Sequence, residues 1–241
     1  HHVGNNVSAE TNVSFEAETG DRAWPFQAVH HGLWDYDFPA APILIDITVD
    51  GQEIPALVQV SKQGFTYVFN RDTGESVWPI EEMEVPQTDV PGERTSLTQP
   101  FPTKPPPYER QGISEDDLID FTPELRAEAV EYVKQFRMGP LFTPPAVINE
   151  DGTGGTIQLP GAAGGANWGS AGVDPETGVL YVQSATQPSL AGLVEPDPAR
   201  SPFRYKRGGP WMLPPRERGL PLPKPPSRRV AALDLMPSKN L

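Results

Sequence analysis

A short turn followed by a tryptophan occurs twice in this chain, at a spacing that strongly limits its fold. Glu16–Trp24 and Asn70–Trp78 share the frame Thr-Gly-x-x-x-Trp, with the two tryptophans 54 positions apart. Glycine allows the tight turn between two strands, and the tryptophan four residues later offers a large apolar face for burial. A repeat of this length is typical of propeller blades that stack side by side. A third copy, Asp174–Gly178, has the turn but Val182 in place of tryptophan.

The segment between residues 43 and 79 has the pattern of one blade. Turn-forming residues at 50–51, 62–64 and 70–74 separate short runs that are rich in β-branched and aromatic residues. This pattern predicts an antiparallel meander of four strands, which is the structural unit of a propeller. The predicted strands are Ile43–Val49, Ile54–Val60, Phe65–Phe69 and Glu75–Trp78.

Proline and glycine interrupt the backbone throughout the chain. Thirty prolines and 22 glycines make up 52 of the 241 residues, which is too many for long helices. We therefore predict one all-β domain over residues 1–241, with an insertion at 80–145 that carries a proline-rich run and a single helix at about 123–138. Thr122 is the expected N-cap, Pro123 the first helical residue, and Gly139-Pro140 the stop. The proline-rich run Thr98–Tyr108 is predicted to wrap the surface, and a polyproline ligand is the less favoured alternative.

The charge and composition exclude several classes of function. A formal net charge of −13 and a pI near 4.7 argue against nucleic acid as a partner, because phosphate binding needs a concentrated excess of Lys and Arg. The sequence has no apolar run of about 18 residues that would predict a membrane-spanning helix. It also has no cysteine, which excludes disulfides, thiolate catalysis and cysteine-ligated metals.

An acid and a cation lie 27 positions apart on either side of the first predicted strands. Asp35 within LWDYD could accept a proton, and Lys62 within VSKQG could stabilise negative charge that develops on an oxygen. Taken alone, such an aspartate is more often a turn or capping group, and such a lysine is usually a solvated charge. His30 and His31 are adjacent, so in a strand they point to opposite faces, which favours a packing role near Asp35 over a metal pair.

Six sequence blocks, in one order, resemble the membrane-type dehydrogenases that use pyrroloquinoline quinone (PQQ) to oxidise glucose and related sugars or alcohols. They cover most of the chain outside the helical insertion. The blocks are WPFQAVHHGLWDYDFPAAPILIDI, VSKQGFTYVFNRDTG, GERTSLTQPFPTKPPPY, LPGAAGGANWGSAGVDPETGVLYV, GLPLPKPP and VAALDL.

The resemblance implies a fold and a set of site residues. It implies an eight-bladed propeller, of which residues 1–241 would supply about four blades, the later half, because both ends interrupt a repeat. Asp35 falls on the family's proposed proton acceptor and Lys62 on the lysine that bonds the quinone oxygens. Asn167 and Trp168 fall on a pair that lines the cofactor pocket in related quinoproteins, although the preceding AGGAN could also be an ordinary glycine-rich turn.

The resemblance also implies partners and a location. PQQ would be the cofactor, held with Ca²⁺ or Mg²⁺ whose ligands we expect outside this segment, so no metal ligand is assigned here. The expected reaction passes electrons from a sugar or alcohol to ubiquinone or a cytochrome in the periplasm, with membrane anchoring by another segment. We expect the isolated segment to be inactive. The alternatives are a non-catalytic quinoprotein-like propeller scaffold and a truncated, inactive fragment.

Overall fold

The computed structural model describes residues 8–151, 154–209, 213 and 219–237, and these form mostly short strands. One α-helix, α1 (Pro123–Val133), and a short 3-10 helix (Glu115–Asp117) lie among them. The strands are β1 (Thr11–Phe15), β2 (Arg22–Gln27), β3 (Ile43–Val49), β4 (Gln52–Val60), β5 (Thr66–Asn70), β6 (Ile80–Glu84), β7 (Thr98–Pro102), β8 (Gly112–Ile113), β9 (Gly139–Pro140), β10 (Ala146–Val147), β11 (Thr156–Gln158), β12 (Ala171–Val173), β13 (Val179–Ala185), β14 (Ser189–Val194), β15 (Lys206–Gly208) and β16 (Arg228–Asp234).

These strands pair into small, separate sheets that do not close into a ring. The pairs are β1-β2, β6-β7 and β8-β9, and the three-stranded sheets are β3-β4-β5 and β12-β13-β16. A larger sheet has the order β10-β14-β11, with β15 added to β14. All pairings are antiparallel except that of β10 with β14. The architecture is an incomplete β-propeller, which confirms the predicted fold class.

The predicted four-stranded meander has only three strands, so this prediction was wrong in detail. β3, β4 and β5 pair in register, but residues 75–78 form only an isolated bridge from Ser76 to Phe69. The chain then reaches Pro79, which has no N–H to donate to a strand ladder. Ile80 begins β6, which pairs with β7 instead of extending the sheet.

The two repeated turns engage each other through Trp24, which is 7% exposed. Its indole Nε1 donates a hydrogen bond to the carbonyl oxygen of Arg71 at 3.0 Å. Its ring covers Gly74, whose φ of +77° favours glycine and where a methyl group would collide with the indole. The tryptophan of one repeat therefore closes the turn of the next. Trp78 is only half-buried and packs at the edge of a core cluster, so its predicted burial is confirmed only in part.

The insertion is organised around α1, which begins as predicted and ends five residues earlier. The side chain of Thr122 accepts a hydrogen bond from the Leu125 amide at 3.2 Å, and the apolar face of the helix is buried. After Val133 the α-helical hydrogen bonds stop, and the Arg137 amide donates a hydrogen bond to the carbonyl of Gly155. Gly139-Pro140 forms β9 rather than the helix stop. The boundaries of the insertion at 80–145 stay a prediction.

A buried carboxylate, Glu109, connects the insertion to the β12-β13-β16 sheet. Its side chain accepts hydrogen bonds from Ser184 Oγ at 2.8 Å and Thr186 Oγ1 at 2.7 Å, and Arg229 Nη2 lies 3.3 Å away. The neighbouring Tyr108 donates its amide to the Gly64 carbonyl and its hydroxyl to the carbonyl of Ser61. The segment that contains Tyr108 and Glu109 therefore also fixes the turn that carries Lys62.

We expect Trp24→Ala to lower the free energy of unfolding by about 3–5 kcal/mol, because it leaves a cavity over the Asn70–Gly74 turn and an unmet carbonyl at Arg71. Urea unfolding followed by far-UV circular dichroism measures this change. Trp168→Ala is the matched control, since that ring is 82% exposed and its loss should change stability by less than about 0.5 kcal/mol. Equal effects of the two substitutions would contradict the docking role of Trp24.

Candidate active site

Asp35 lies in the loop between β2 and β3, where buried aromatic side chains fix its position. Trp34 and Tyr36 are each about 1% exposed, and both anchor to distant backbone oxygens: Trp34 Nε1 donates to Thr143 and the Tyr36 hydroxyl donates to Pro160. With its neighbours turned into the core, the Asp35 carboxylate stays 49% exposed. The loop therefore presents a half-solvated acid from a rigid base.

The backbone at Asp35 is strained. Its φ is +66°, in the left-handed region that non-glycine residues seldom adopt. Such a conformation persists only where the surrounding structure enforces it, and it is concentrated at functional sites. The packing around Asp35 therefore holds this residue in an unfavourable backbone conformation.

Lys62 lies in the turn between β4 and β5 and is directed at the Asp35 loop. Its side chain is only 9% exposed, and its Nζ lies 3.3 Å from Asp35 Oδ2 and 2.6 Å from Asp37 Oδ1. A largely buried ammonium needs such partners, because removing a cation from water is costly. The structure thus brings together the two residues that the sequence analysis singled out, and adds Asp37 as a second acid.

The glycine-rich loop reaches Lys62 through its backbone. Gly165 donates its amide to the Lys62 carbonyl at 2.9 Å, and a methyl group at Gly164 would collide with the lysine side chain. Gly164 also donates to the Gly161 carbonyl, so the loop is a tight turn as well as a neighbour of Lys62. Only glycine lets the two backbones come this close.

Asn167 and Trp168 do not line the Asp35 cavity. Asn167 is bonded within its own loop, to the Ala163 carbonyl and the Trp168 amide. It lines a cavity of about 610 Å³ with Gln183 and Arg228, whereas Asp35 lines a different cavity of about 450 Å³. Trp168 is 82% exposed. Their role in holding a cofactor stays a prediction.

The Asp35 cavity contains charges of both signs. Carboxylates come from the β1 segment, the Asp35 loop and the β6-β7 connection, and cations come from β15. The charged and titratable residues that line it are Glu10, His31, Asp35, Glu93, Lys206 and Arg207.

His30 and His31 lie in a turn after β2 rather than in a strand, so the expected opposite-face arrangement was wrong, and they contact different acids. His30 Nε2 lies 2.9 Å from Glu82, and His31 Nε2 lies 3.0 Å from Glu93. Among the described ranges, no group of three or more His, Asp or Glu side chains is arranged to hold a metal ion. In the same ranges, no helix is both long and apolar enough to cross a membrane.

Two acidic residues of the site were missed from the sequence. Asp37 could have been found, because Asp35 and Asp37 are separated by one residue and the large apolar Trp34 and Tyr36 alternate with them. Glu10 could not have been found in this way, since it immediately precedes β1 and lies 25 positions before Asp35 in the sequence. Its Oε1 accepts a hydrogen bond from the Tyr36 amide at 3.1 Å, and its Oε2 is buried.

Comparison with known proteins identifies the family of the chain. The family model described as "Glucose/ethanol/alcohol dehydrogenase, beta-propeller domain" of the PQQ group matches residues 1–239. The chain is 33% identical over 198 residues to the glycerol dehydrogenase large subunit of Gluconobacter thailandicus, covering 79% of this chain and 25% of that protein. It is 35% identical over 196 residues to the quinoprotein glucose dehydrogenase of Escherichia coli (strain K12), covering 79% and 23%.

A third relative has a different named substrate. The quinate/shikimate dehydrogenase (quinone) of Acinetobacter baylyi is 34% identical over 171 residues, which cover 70% of this chain and 20% of that protein. The chain therefore spans a quarter or less of the length of these relatives. Because the family model covers nearly all of its residues, the chain belongs to the PQQ-dependent glucose/ethanol/alcohol dehydrogenase family, as part of its β-propeller domain.

Proposed function

We propose that the complete protein containing this segment oxidises a sugar or another alcohol with PQQ, and that Asp35 and Lys62 are its catalytic acid–base and cofactor-binding residues. The observation that carries this proposal is the 3.3 Å separation of Lys62 Nζ and Asp35 Oδ2 in a chain of this family. A proton acceptor and a cation at this separation can act on one reacting group together.

Asp35 is suited to take the hydroxyl proton of the alcohol. Its carboxylate is half-exposed beside a cavity large enough for a small polyol, while its backbone is anchored by the buried Trp34 and Tyr36. A general base must be held within hydrogen-bond reach of the proton it removes. When bound, PQQ supplies the quinone that accepts the two electrons of the alcohol carbon.

Lys62 fits a role at the rim of a quinone. Its ammonium has three donors and is largely buried, so it can contact quinone oxygens where water does not screen the charge. Gly164 allows the glycine-rich loop to pack directly against the lysine stem, since a side chain there would displace it. Asp37, at 2.6 Å, holds the ammonium in place while Asp35 carries out proton transfer. We further propose that Asn167 and Trp168 contribute to the pocket from the neighbouring loop.

The remaining components of the reaction would come from outside residues 1–241. We propose Ca²⁺ or Mg²⁺ as the metal, ubiquinone or a cytochrome as the electron acceptor, and the periplasm as the location, with anchoring by another segment. The quinoprotein and quinone names of two relatives support a quinone-linked reaction of this kind. We propose that the isolated segment is inactive, since it corresponds to a quarter or less of those relatives.

A scaffold function is the second candidate, and one contact favours it. Lys62 is already neutralised by Asp35 and Asp37, so the cluster could serve only to stabilise the fold. The two functions differ in their dependence on Asp35, because a scaffold tolerates the loss of its charge if the shape is kept.

Asp35→Asn in the complete, PQQ-reconstituted protein should lower kcat by about 10²–10⁴-fold, because it removes the proton acceptor and keeps the shape. The Kd for PQQ should change less than about threefold. Steady-state oxidation of an alcohol or aldose with an artificial electron acceptor measures kcat, and titration of the apoprotein measures Kd. Asp72→Asn, in the exposed turn after β5, is the control. Unchanged turnover across pH in Asp35→Asn would support the scaffold function instead.

Lys62→Ala should impair both quantities, since the ammonium would contact the cofactor and also stabilise reduced quinone. We expect the Kd for PQQ to rise at least about tenfold and kcat to fall, in the range found when a charge-assisted hydrogen bond is lost. Lys134→Ala is the control, because that side chain is 63% exposed immediately after the end of α1. If PQQ bound Lys62→Ala as tightly as the unmodified protein, the cofactor role of Lys62 would be wrong.

A further inference from the structure

Glu10 contacts the Asp35 loop but has no part in the proposed reaction as described above. Its Oε1 accepts a hydrogen bond from the Tyr36 amide, which belongs to the peptide immediately after Asp35. Its Oε2 is buried and has no hydrogen-bond partner among the described residues. A carboxylate held in this way by one amide constrains the position of that peptide.

The position of Glu10 depends on a glycine in the same loop. The Glu10 carboxylate occupies the space that a side chain at residue 32 would need, so any Cβ on Gly32 would collide with it. Glu10 itself adopts a φ of +51°, in the left-handed region. Because both the carboxylate and the backbone are specially accommodated, the contact is built into the loop rather than incidental.

The contact between Glu10 and the Tyr36 amide helps to maintain the strained backbone at Asp35. A residue at φ +66° relaxes unless neighbouring groups hold its two peptides. Trp34 anchors the chain before Asp35, and the bond from the Tyr36 amide to Glu10 holds the peptide after it. The carboxylate of Asp35 is therefore oriented from both sides.

Glu10 also belongs to a cluster of charges around Asp35. Asp35, Asp37 and Lys62 all act electrostatically on its carboxyl group. The charged or titratable side chains that line the Asp35 cavity together with Glu10 and Asp35 are His31, Glu93, Lys206 and Arg207. Because like charges repel, an ionised Glu10 places a further negative charge near the Asp35 carboxylate.

We propose that Glu10 is a positioning residue for Asp35, which holds the Asp35–Tyr36 peptide and, when ionised, adds a negative charge near the Asp35 carboxylate. This inference rests on the proposed function for its catalytic part, whereas the structural part concerns this chain alone.

The direction of the pH dependence follows from the environment of Glu10. Burial raises its pKa to about 7, against the opposing effect of the Tyr36 amide, and Asp37 and Asp35 add to the increase. In the unfolded chain the pKa returns to about 4.3. Since the folded pKa is the higher one, the stability that Glu10 contributes is present below about pH 4.3 and is lost as the pH rises through about 7.

The first test measures kcat of the complete, PQQ-reconstituted protein between pH 5.5 and 8.5. Glu10→Gln keeps an oxygen for the Tyr36 amide but removes the charge. We expect the unmodified protein to gain about threefold in kcat around pH 7 and Glu10→Gln to lack this step. Glu10→Ala and Gly32→Ala, which remove or displace the acceptor oxygen, should lower kcat about tenfold at every pH with little change in KM. Glu18→Gln, an exposed carboxylate near β2, is the control.

The second test does not depend on activity. With selective ¹⁵N labelling of tyrosine in the complete protein, the Tyr36 amide shift should titrate near pH 7 and should stop doing so in Glu10→Gln. In thermal unfolding, the advantage of the unmodified protein over Glu10→Gln should shrink by roughly 3 °C between pH 5 and 8.

The outcomes separate the two proposals. An unmodified protein that oxidises no alcohol, but whose Tyr36 amide titrates as described, overturns the proposed function and retains the structural role of Glu10. Identical Tyr36 titration in the unmodified protein and Glu10→Gln overturns that structural role. Identical pH profiles of kcat in active protein overturn the effect of Glu10 on Asp35.

Discussion

The arrangement of the site depends on one buried carboxylate, Glu109, which is satisfied by Ser184, Thr186 and Arg229. Without those partners, a carboxylate at this depth would destabilise the fold by several kcal/mol. Because its neighbour Tyr108 bonds to the turn that carries Lys62, the polar contacts of one sheet fix a turn of another. The glycine-rich loop packs against the same carboxylate side chain through Gly165. Three segments that are distant in sequence are thereby held in one place.

The Lys62 cluster solves a different electrostatic problem. A buried ammonium is stable only beside negative charge, yet a catalytic base must keep access to solvent and substrate. Two half-exposed acids supply this negative charge, Asp37 with an oxygen 2.6 Å from Lys62 Nζ and Asp35 with one at 3.3 Å, and of the two only Asp35 lines the cavity. The aromatic core under the loop supplies rigidity, with Trp34 and Tyr36 each in edge-on contact with Phe142. Packing beneath the loop and hydrogen bonds on both sides of Asp35 fix the position of this residue.

The parts predicted from sequence are those set by local patterns. The turn frame predicted the burial of Trp24, although not its contact with the Asn70–Gly74 turn, and Thr122 with Pro123 located the start of the helix. The resemblance brought together Asp35 and Lys62. The parts that failed depend on tertiary competition: residues 75–78 leave their sheet because β6 pairs with β7, and α1 ends early because Arg137 bonds to Gly155. Glu10 could not be predicted, because its contact requires a glycine 22 positions later and a left-handed backbone at both Glu10 and Asp35.

The contact of Trp24 with the next repeat has a consequence for how such chains can change during evolution. Trp24 of one repeat closes the turn of the next repeat at Gly74, so this stabilising unit straddles the boundary between the two sequence repeats. Duplication or deletion of a single repeat therefore preserves the fold only if the break points fall at equivalent places in the frame. A break that separates a turn from the tryptophan that covers it would expose the indole and leave the glycine of the turn uncovered. Gene rearrangements within this family should accordingly retain the phase of the frame even where the intervening sequence diverges.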